Sequence, residues 1–113
     1  MKESFSLTRK VVLEHLVRQP DNAGGFSESW QVLGAVWVEM RAGAGRERAR
    51  TGGPVSSVPY RIFTRAAPLG SPRRPVAGQR FVEGNRRYRI EAVSEVGNDG
   101  LYLECFTREE VRA

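Results

Sequence analysis

The chain has one imidazole, His15, and one thiol, Cys105. Nucleophilic catalysis needs a nucleophile, a base and a group that orients the base. His15 falls on the apolar side of an alternating stretch, where a packed or rim histidine is expected. Cys105 lies beside Leu103 and Phe106 in the last apolar run, where a small buried hydrophobe is expected rather than a reactive thiol. One Cys and one His cannot make a Cys/His zinc site, and a lone Cys excludes an internal disulfide and fits a reducing compartment. The carboxylates Asp21, Glu28, Glu39, Glu83 and Glu91 are scattered, without metal-ligand spacing. The glycines of "AGAGRERARTGG" resemble a phosphate-cradling loop only superficially, because neither a Gly-Lys-Ser/Thr nor a helix follows. The expectation is a protein that is not an enzyme and has no metal and no cofactor.

The chemistry that remains is cationic. The 113 residues carry a net charge of +5 and a pI near 10.1, with Lys only at Lys2 and Lys10. Arginine favours planar, bidentate contacts to phosphate or carboxylate, so a polyanion or an acidic protein surface is the expected partner. Two irregular stretches concentrate the arginines. The first, 42–57, holds Gly45, Arg46, Glu47, Arg48 and Arg50; the second, 67–79, holds Arg73 and Arg74. No aromatic residues interleave with them, so base stacking is not indicated and attraction to the phosphate backbone without sequence reading is the expected mode.

Those loops need a scaffold. With 40% hydrophobic and 27% charged residues, the chain is globular, and its length fits a single domain over 1–113 that buries roughly two-thirds of its unfolded surface. The start, "MKESFSLTRK", has no apolar core of a signal peptide, and no run of about 18 apolar residues predicts a membrane span. Residues 7–18 alternate, with Val11, Leu13, His15 and Val17 on one side, and a dense turn signal follows in "QPDNAGG". Residues 28–41 form the clearest strand. Trp30, Val32, Gly34, Val36, Val38 and Met40 share one parity, which makes Trp30 a core residue, while Trp37 on the mixed parity packs under a loop or meets another subunit. Gly34 inside a strand signals a bulge or a close backbone approach.

Val58–Ala66 alternates again, with Pro59 marking an edge or a strand start. Two short strands flank Gly84–Asn85, with Tyr88, Ile90 and Ala92 facing one way. A turn at 97–100 leads to a closing strand, 101–106. Residues 107–113 read as a polar tail with room for one helical turn capped by Thr107. The fold expected is mainly β: a small antiparallel β-barrel or sandwich of five to six strands with two long irregular loops. Gly and Arg content predicts loops that stay disordered until docking.

The order of these features resembles the phage head–tail joining family, the small connector proteins of long-tailed phages and gene transfer agents. The resemblance runs through Asp21-Asn22-Ala23-Gly24-Gly25, Trp30, Val36–Trp37, Gly45–Arg46–Glu47, the strand Val58 to Arg65, Arg80–Phe81, Gly84, Tyr88–Arg89–Ile90 and the strand Leu101 to Cys105. It spans nearly the whole chain. Val38 and Tyr60 depart from the Ala and His more usual in the family, and the segment "PLGSPRRPV", 68–76, is longer than the family pattern.

The resemblance implies a stopper, or head-completion protein. Such a protein forms a homo-oligomeric ring of six or twelve copies, six where a six-fold tail follows. The ring sits below the portal and adaptor, above a tail terminator or tail protein, and lines or closes a channel holding double-stranded DNA. The particle, a virion or gene transfer agent, would assemble in the cytoplasm. Gly45 to Arg50 would face the channel or a partner, and Trp37, Arg65 and Tyr60 would lie at a subunit interface. The alternative is a stand-alone basic β-barrel that binds nucleic acid by itself.

Overall fold

The computed structural model describes residues 4–43 and 57–110. Six strands form: β1 (Arg9–Pro20), β2 (Phe26–Ala42), β3 (Ser57–Arg65), β4 (Arg80–Glu83), β5 (Arg86–Val96) and β6 (Tyr102–Glu110). They pair antiparallel in the order β1-β2-β3-β6-β5-β4. The short β4 closes the barrel on β1, with Val82 opposite Val12 and Arg80 opposite Glu14. Closure removes sheet edges along this part of every strand.

Alternation explains the core. Every strand contributes an inward residue: Val11 and Leu13 from β1, Val38 from β2, Ile62 from β3, Phe81 from β4, Tyr88 and Ile90 from β5, and Cys105 from β6. Each is at most 2% exposed, and burying such side chains is worth about 1.5–3 kcal/mol apiece.

Two bulges break the alternation and correct the parity expected from sequence. In the β1–β2 ladder Leu13 faces Gly34 but Glu14 faces Val32, so Leu33 is the extra residue. Gly34 takes φ +148° there, a conformation that glycine adopts at little cost. The bulge swaps the faces of β2. Leu33, Val36 and Met40 pack on the core, whereas Val32 is 61% exposed. Trp30 is therefore not a core residue; it lies on the outer wall with Trp37. In the β5–β6 ladder Ile90 faces Thr107 and Ala92 faces Phe106, leaving Glu91 extra. Ala92 turns outward and Val93 packs on the core instead.

The C-terminal expectation is also corrected. Residues 107–110 continue β6 instead of making a helical turn. Thr107 is buried, and its hydroxyl donates to the Tyr60 carbonyl at 3.1 Å. The same inward parity runs Leu103, Cys105, Thr107, with the hydroxyl satisfied by the backbone.

The barrel is only part of the length. β4 pairs with β1 at Val12–Glu14, and β3 pairs with β2 at Val38–Ala42. Beyond those points β1 and β2 pair with each other alone, up to Pro20–Phe26. The result is a two-stranded arm on a molecule 55 Å long and 23 Å thick. Its tip is the Asp21–Gly25 turn. The Asp21 carboxylate accepts from the Ala23 and Gly25 amides at 2.8 and 2.9 Å, which holds its carboxyl below the usual aspartate range. Asn22 and Gly24 take positive φ of 64° and 86°. The Asp-x-x-Gly-Gly pattern is thus a self-supporting hairpin tip.

Candidate interaction site

The outer wall is arginine-rich, yet most of the charge is matched. Among the described residues nine arginines lie within 4 Å of a carboxylate, including Arg9 with Glu83, Arg61 with Glu104, Arg80 with Glu14 and Arg86 with Glu109. The more exposed of these pairs, such as Arg18 with Glu28, add little stability each; together the pairs leave the wall without a broad cationic face. The arginines also lie over aromatic rings. Arg80 sits 4.0 Å from the Trp30 ring centroid and Arg89 5.3 Å from it. Trp30 is therefore held by cation–π contacts on the wall, the arrangement that its apolar neighbours in sequence concealed.

The N-terminal residues are part of this wall. Phe5 stacks on Phe63 with centroids 4.4 Å apart and meets Tyr102 edge-on at 4.9 Å. Arg41 covers both Phe5 and Phe63, and the Ser6 amide donates to Glu39 at 2.7 Å. Phe63 points outward from β3 but is only 1% exposed, because this strap covers it. No periodicity in "SFSL" predicts such a contact.

Two of the residues expected at a subunit interface come together. Trp37, 53% exposed, and Arg65 line a shallow pocket of about 300 Å³ with Leu7, Thr64 and Arg73 of the second loop. The Thr64 hydroxyl donates to the Trp37 carbonyl at 3.0 Å, fixing β2 against β3 at this point. Arg65 lies over the Tyr102 ring at 5.6 Å. Neither Arg65 nor Arg73 has a carboxylate partner among the described residues. An exposed indole flanked by two unmatched guanidinium groups suits an acidic or aromatic protein surface.

Tyr60, the third residue expected there, lies near the other end of the barrel. Its ring meets Tyr88 edge-on at 5.4 Å, and its hydroxyl accepts from Arg86 at 3.2 Å. That end is where the first long loop leaves. Gly45, Arg46, Glu47, Arg48 and Arg50 lie outside the described residues, but the neck of their loop is well defined. The Gly43 amide donates to the Pro59 carbonyl at 2.9 Å. A Cβ on Gly43 would stand 2.8 Å from the Pro59 Cβ, so glycine is required by close approach.

The second loop is folded, contrary to the expectation of disorder. Ser71 donates to Pro68, Arg74 to Ser71 and Gln79 to Val76 through backbone amides. Arg74 is tied to the Ala67 carbonyl at 2.9 Å and faces Glu95 at 3.8 Å, while Arg73 stays exposed. Gln79 is buried and bridges the Val76 amide and His15 Nδ1. His15 is therefore a rim residue under this loop. Cys105 is fully buried, and burial pushes its thiol up to about 12. Among the described residues no group of His, Cys, Asp and Glu could hold a metal ion, and no helix is long and apolar enough to cross a membrane.

The strand order, the Asp21–Gly25 tip and the unmatched surface residues can be set against known proteins. The family model for the phage head completion protein matches residues 3–110. The chain belongs to that family. A structural match to a chain in the virion of a native gene transfer agent particle has 51% sequence identity and a TM-score of 0.84, covering 97% of this chain and 100% of that one. No curated protein matches. The head completion family is one of structural virion proteins, so this chain is a virion component that assembles with other head and tail proteins. The exposed arm, the Trp37 pocket and the Gly43–Pro59 neck are the features of this head completion protein that its core packing leaves at the surface.

Proposed function

We propose that this head completion protein acts as a stopper. Copies form a cyclic ring below the portal and adaptor, six where the tail is six-fold, and the ring docks the tail on its other side. Residues 44–56 of each copy point toward the DNA channel, where Arg46, Arg48 and Arg50 contact phosphate without reading sequence. Trp37 and Arg65 lie at contacts between subunits or with the adaptor.

One observation carries the loop assignment. Gly43 and Pro59 clamp the two ends of a cationic segment at one end of a rigid barrel, so every copy in a ring would hold that segment at the same radius and height. The segment carries three arginines and one glutamate. A stand-alone nucleic-acid-binding barrel is disfavoured by the matched arginines of the wall. Such a module would need a cationic face that its own carboxylates do not occupy.

Deleting the gene tests the function. The expected particles lose packaged DNA and carry no tails, and complementation with Arg46, Arg48 and Arg50 all changed to Ser restores tails but not full DNA retention. Deletion particles that keep DNA and carry tails would overturn the reading.

A further inference from the structure

The β1–β2 arm has two open edges, and its hydrogen-bond phase identifies which residues lie on them. At the tip the Asp21 amide donates to the Gly25 carbonyl at 3.1 Å. In an antiparallel ladder, bonded and non-bonded pairs alternate. Counting from Asp21–Gly25 along the register, Gln19–Ser27 and Val17–Ser29 are the bonded pairs. Pro20–Phe26, Arg18–Glu28 and Leu16–Trp30 are the pairs whose backbone groups point away from the arm. Pro20 falls at such a position, where the missing N–H costs the arm's ladder nothing.

β2 therefore presents the N–H and C=O of Phe26, Glu28 and Trp30 to its open side. β1 presents those of Leu16 and Arg18 and the carbonyl of Pro20. No backbone hydrogen bond from the described residues reaches these groups. The β2 edge, "FSESWQ", contains neither Pro nor Lys. Exposed edges normally carry charges or Pro against strand addition; here the single charge of Glu28 stands between the exposed Phe26 and the half-buried Trp30.

We propose that the open β2 edge of the arm takes the open β1 edge of the next copy of this chain as its antiparallel partner, so that the arms of a ring close into one continuous sheet. The proposal rests on the cyclic ring proposed above and names the element that makes its contact. Three observations favour a second copy over a foreign strand. Under rotation symmetry all arms run the same way, so β2 of one copy meets β1 of the next antiparallel, as within the arm. With no slip, the new interface repeats the arm's own cross-strand pairs: Leu16 with Trp30, Arg18 with Glu28, Pro20 with Phe26. Arg18 and Glu28, 3.4 Å apart within one arm, would alternate around the ring, each flanked by opposite charge. Phe26 is 63% exposed, with Arg18 over its ring at 5.2 Å, and the neighbour's Pro20 would cover it. A cyclic sheet of arms leaves no edge unpaired.

The test is disulfide crosslinking in assembled particles. Particles are made with a mixture of two variants, Arg18→Cys and Glu28→Cys, and with each variant alone; Phe26→Cys or Trp30→Cys replaces Glu28→Cys to detect a two-residue slip in either direction. Native Cys105 is buried and does not compete. The expected result is a crosslinked dimer from a mixture and none from either variant alone. As a second variant, Glu28→Pro removes an open-edge donor but no ladder bond of the arm; the purified chain should melt like the parent yet fail to enter particles. No crosslink in any of the three mixtures, in particles that hold several copies around an axis, overturns the shared sheet and leaves the ring reading standing. A single copy per particle overturns the ring reading and the shared sheet together. A crosslink to a different protein overturns the choice of partner.

Discussion

Gly43 and Pro59 are joined by one backbone hydrogen bond, 2.9 Å from amide to carbonyl, and they approach so closely that no side chain fits on residue 43. This contact follows the last β2–β3 pair, Ala42 with Tyr60. It sets where the cationic segment begins and ends. Gly43→Ala would push a methyl against the Pro59 ring and carbonyl, at a cost of about 1–3 kcal/mol. Thermal unfolding followed by circular dichroism should show a lower Tm. An unchanged Tm would mean that the neck opens freely and does not position the loop.

Arg80 is held between Glu14 and Trp30, with Nε 2.8 Å from the carboxylate and the guanidinium over the indole. Both charged side chains are about 15% exposed or less, so removing one leaves the other poorly solvated. Arg80→Ala should destabilise the barrel by about 2–3 kcal/mol. Arg80→Lys should recover only part of this, because ammonium lacks the planar fork and stacks less well. Equilibrium denaturation of both variants, and of Glu14→Gln with Arg80→Ala, measures the coupling.

The strands were legible in the sequence because alternation is a direct record of one wet and one dry face. β1, the β4–β5 hairpin and the turn at 97–100 follow from it. Trp30 shows where it misleads: the bulge at Leu33–Gly34 reverses the faces of β2, and a glycine marks the bulge without saying which residue is extra. At Glu91 even that mark is missing, so Ala92 reads as inward when it is not. Trp37 could be singled out from sequence as an aromatic residue on a mixed face, whereas only the family resemblance, in which this strand ends in an arginine, points to Arg65. Their meeting with Arg73 depends on how the second loop folds over the barrel, which no local pattern encodes. The strap was illegible for the same reason: Phe5 acquires its partner only once β3 has placed Phe63 outward.

The strap should respond to acid. The Ser6 amide, and after it Arg41, hold the Glu39 carboxyl below the usual glutamate range. A lowered folded-state pKa contributes stability above the ordinary glutamate value, and that contribution is lost as pH falls through the folded value. Protection of the Ser6 amide against hydrogen exchange should therefore persist at neutral pH and fade only as the pH falls below the ordinary glutamate range. Glu39→Gln should abolish that pH dependence. Loss of protection on raising the pH, after correction for intrinsic exchange, would contradict the assignment.

Cys105 should be chemically silent in the folded protein. Burial raises its thiol to about 12, so almost no thiolate exists at neutral pH. Labelling by iodoacetamide should proceed only at the rate of unfolding and become fast in denaturant. Rapid labelling of the native chain would contradict its place in the core.

The most direct test of the stopper reading is a cryo-EM reconstruction of the assembled particle at the head–tail junction. The account predicts several copies of this chain in a ring around the DNA-exit channel, with the Gly43–Pro59 necks facing the axis and residues 44–56 reaching into the lumen. A single copy, or a ring whose necks face away from the lumen and whose cationic segments lie outside it, would contradict the account.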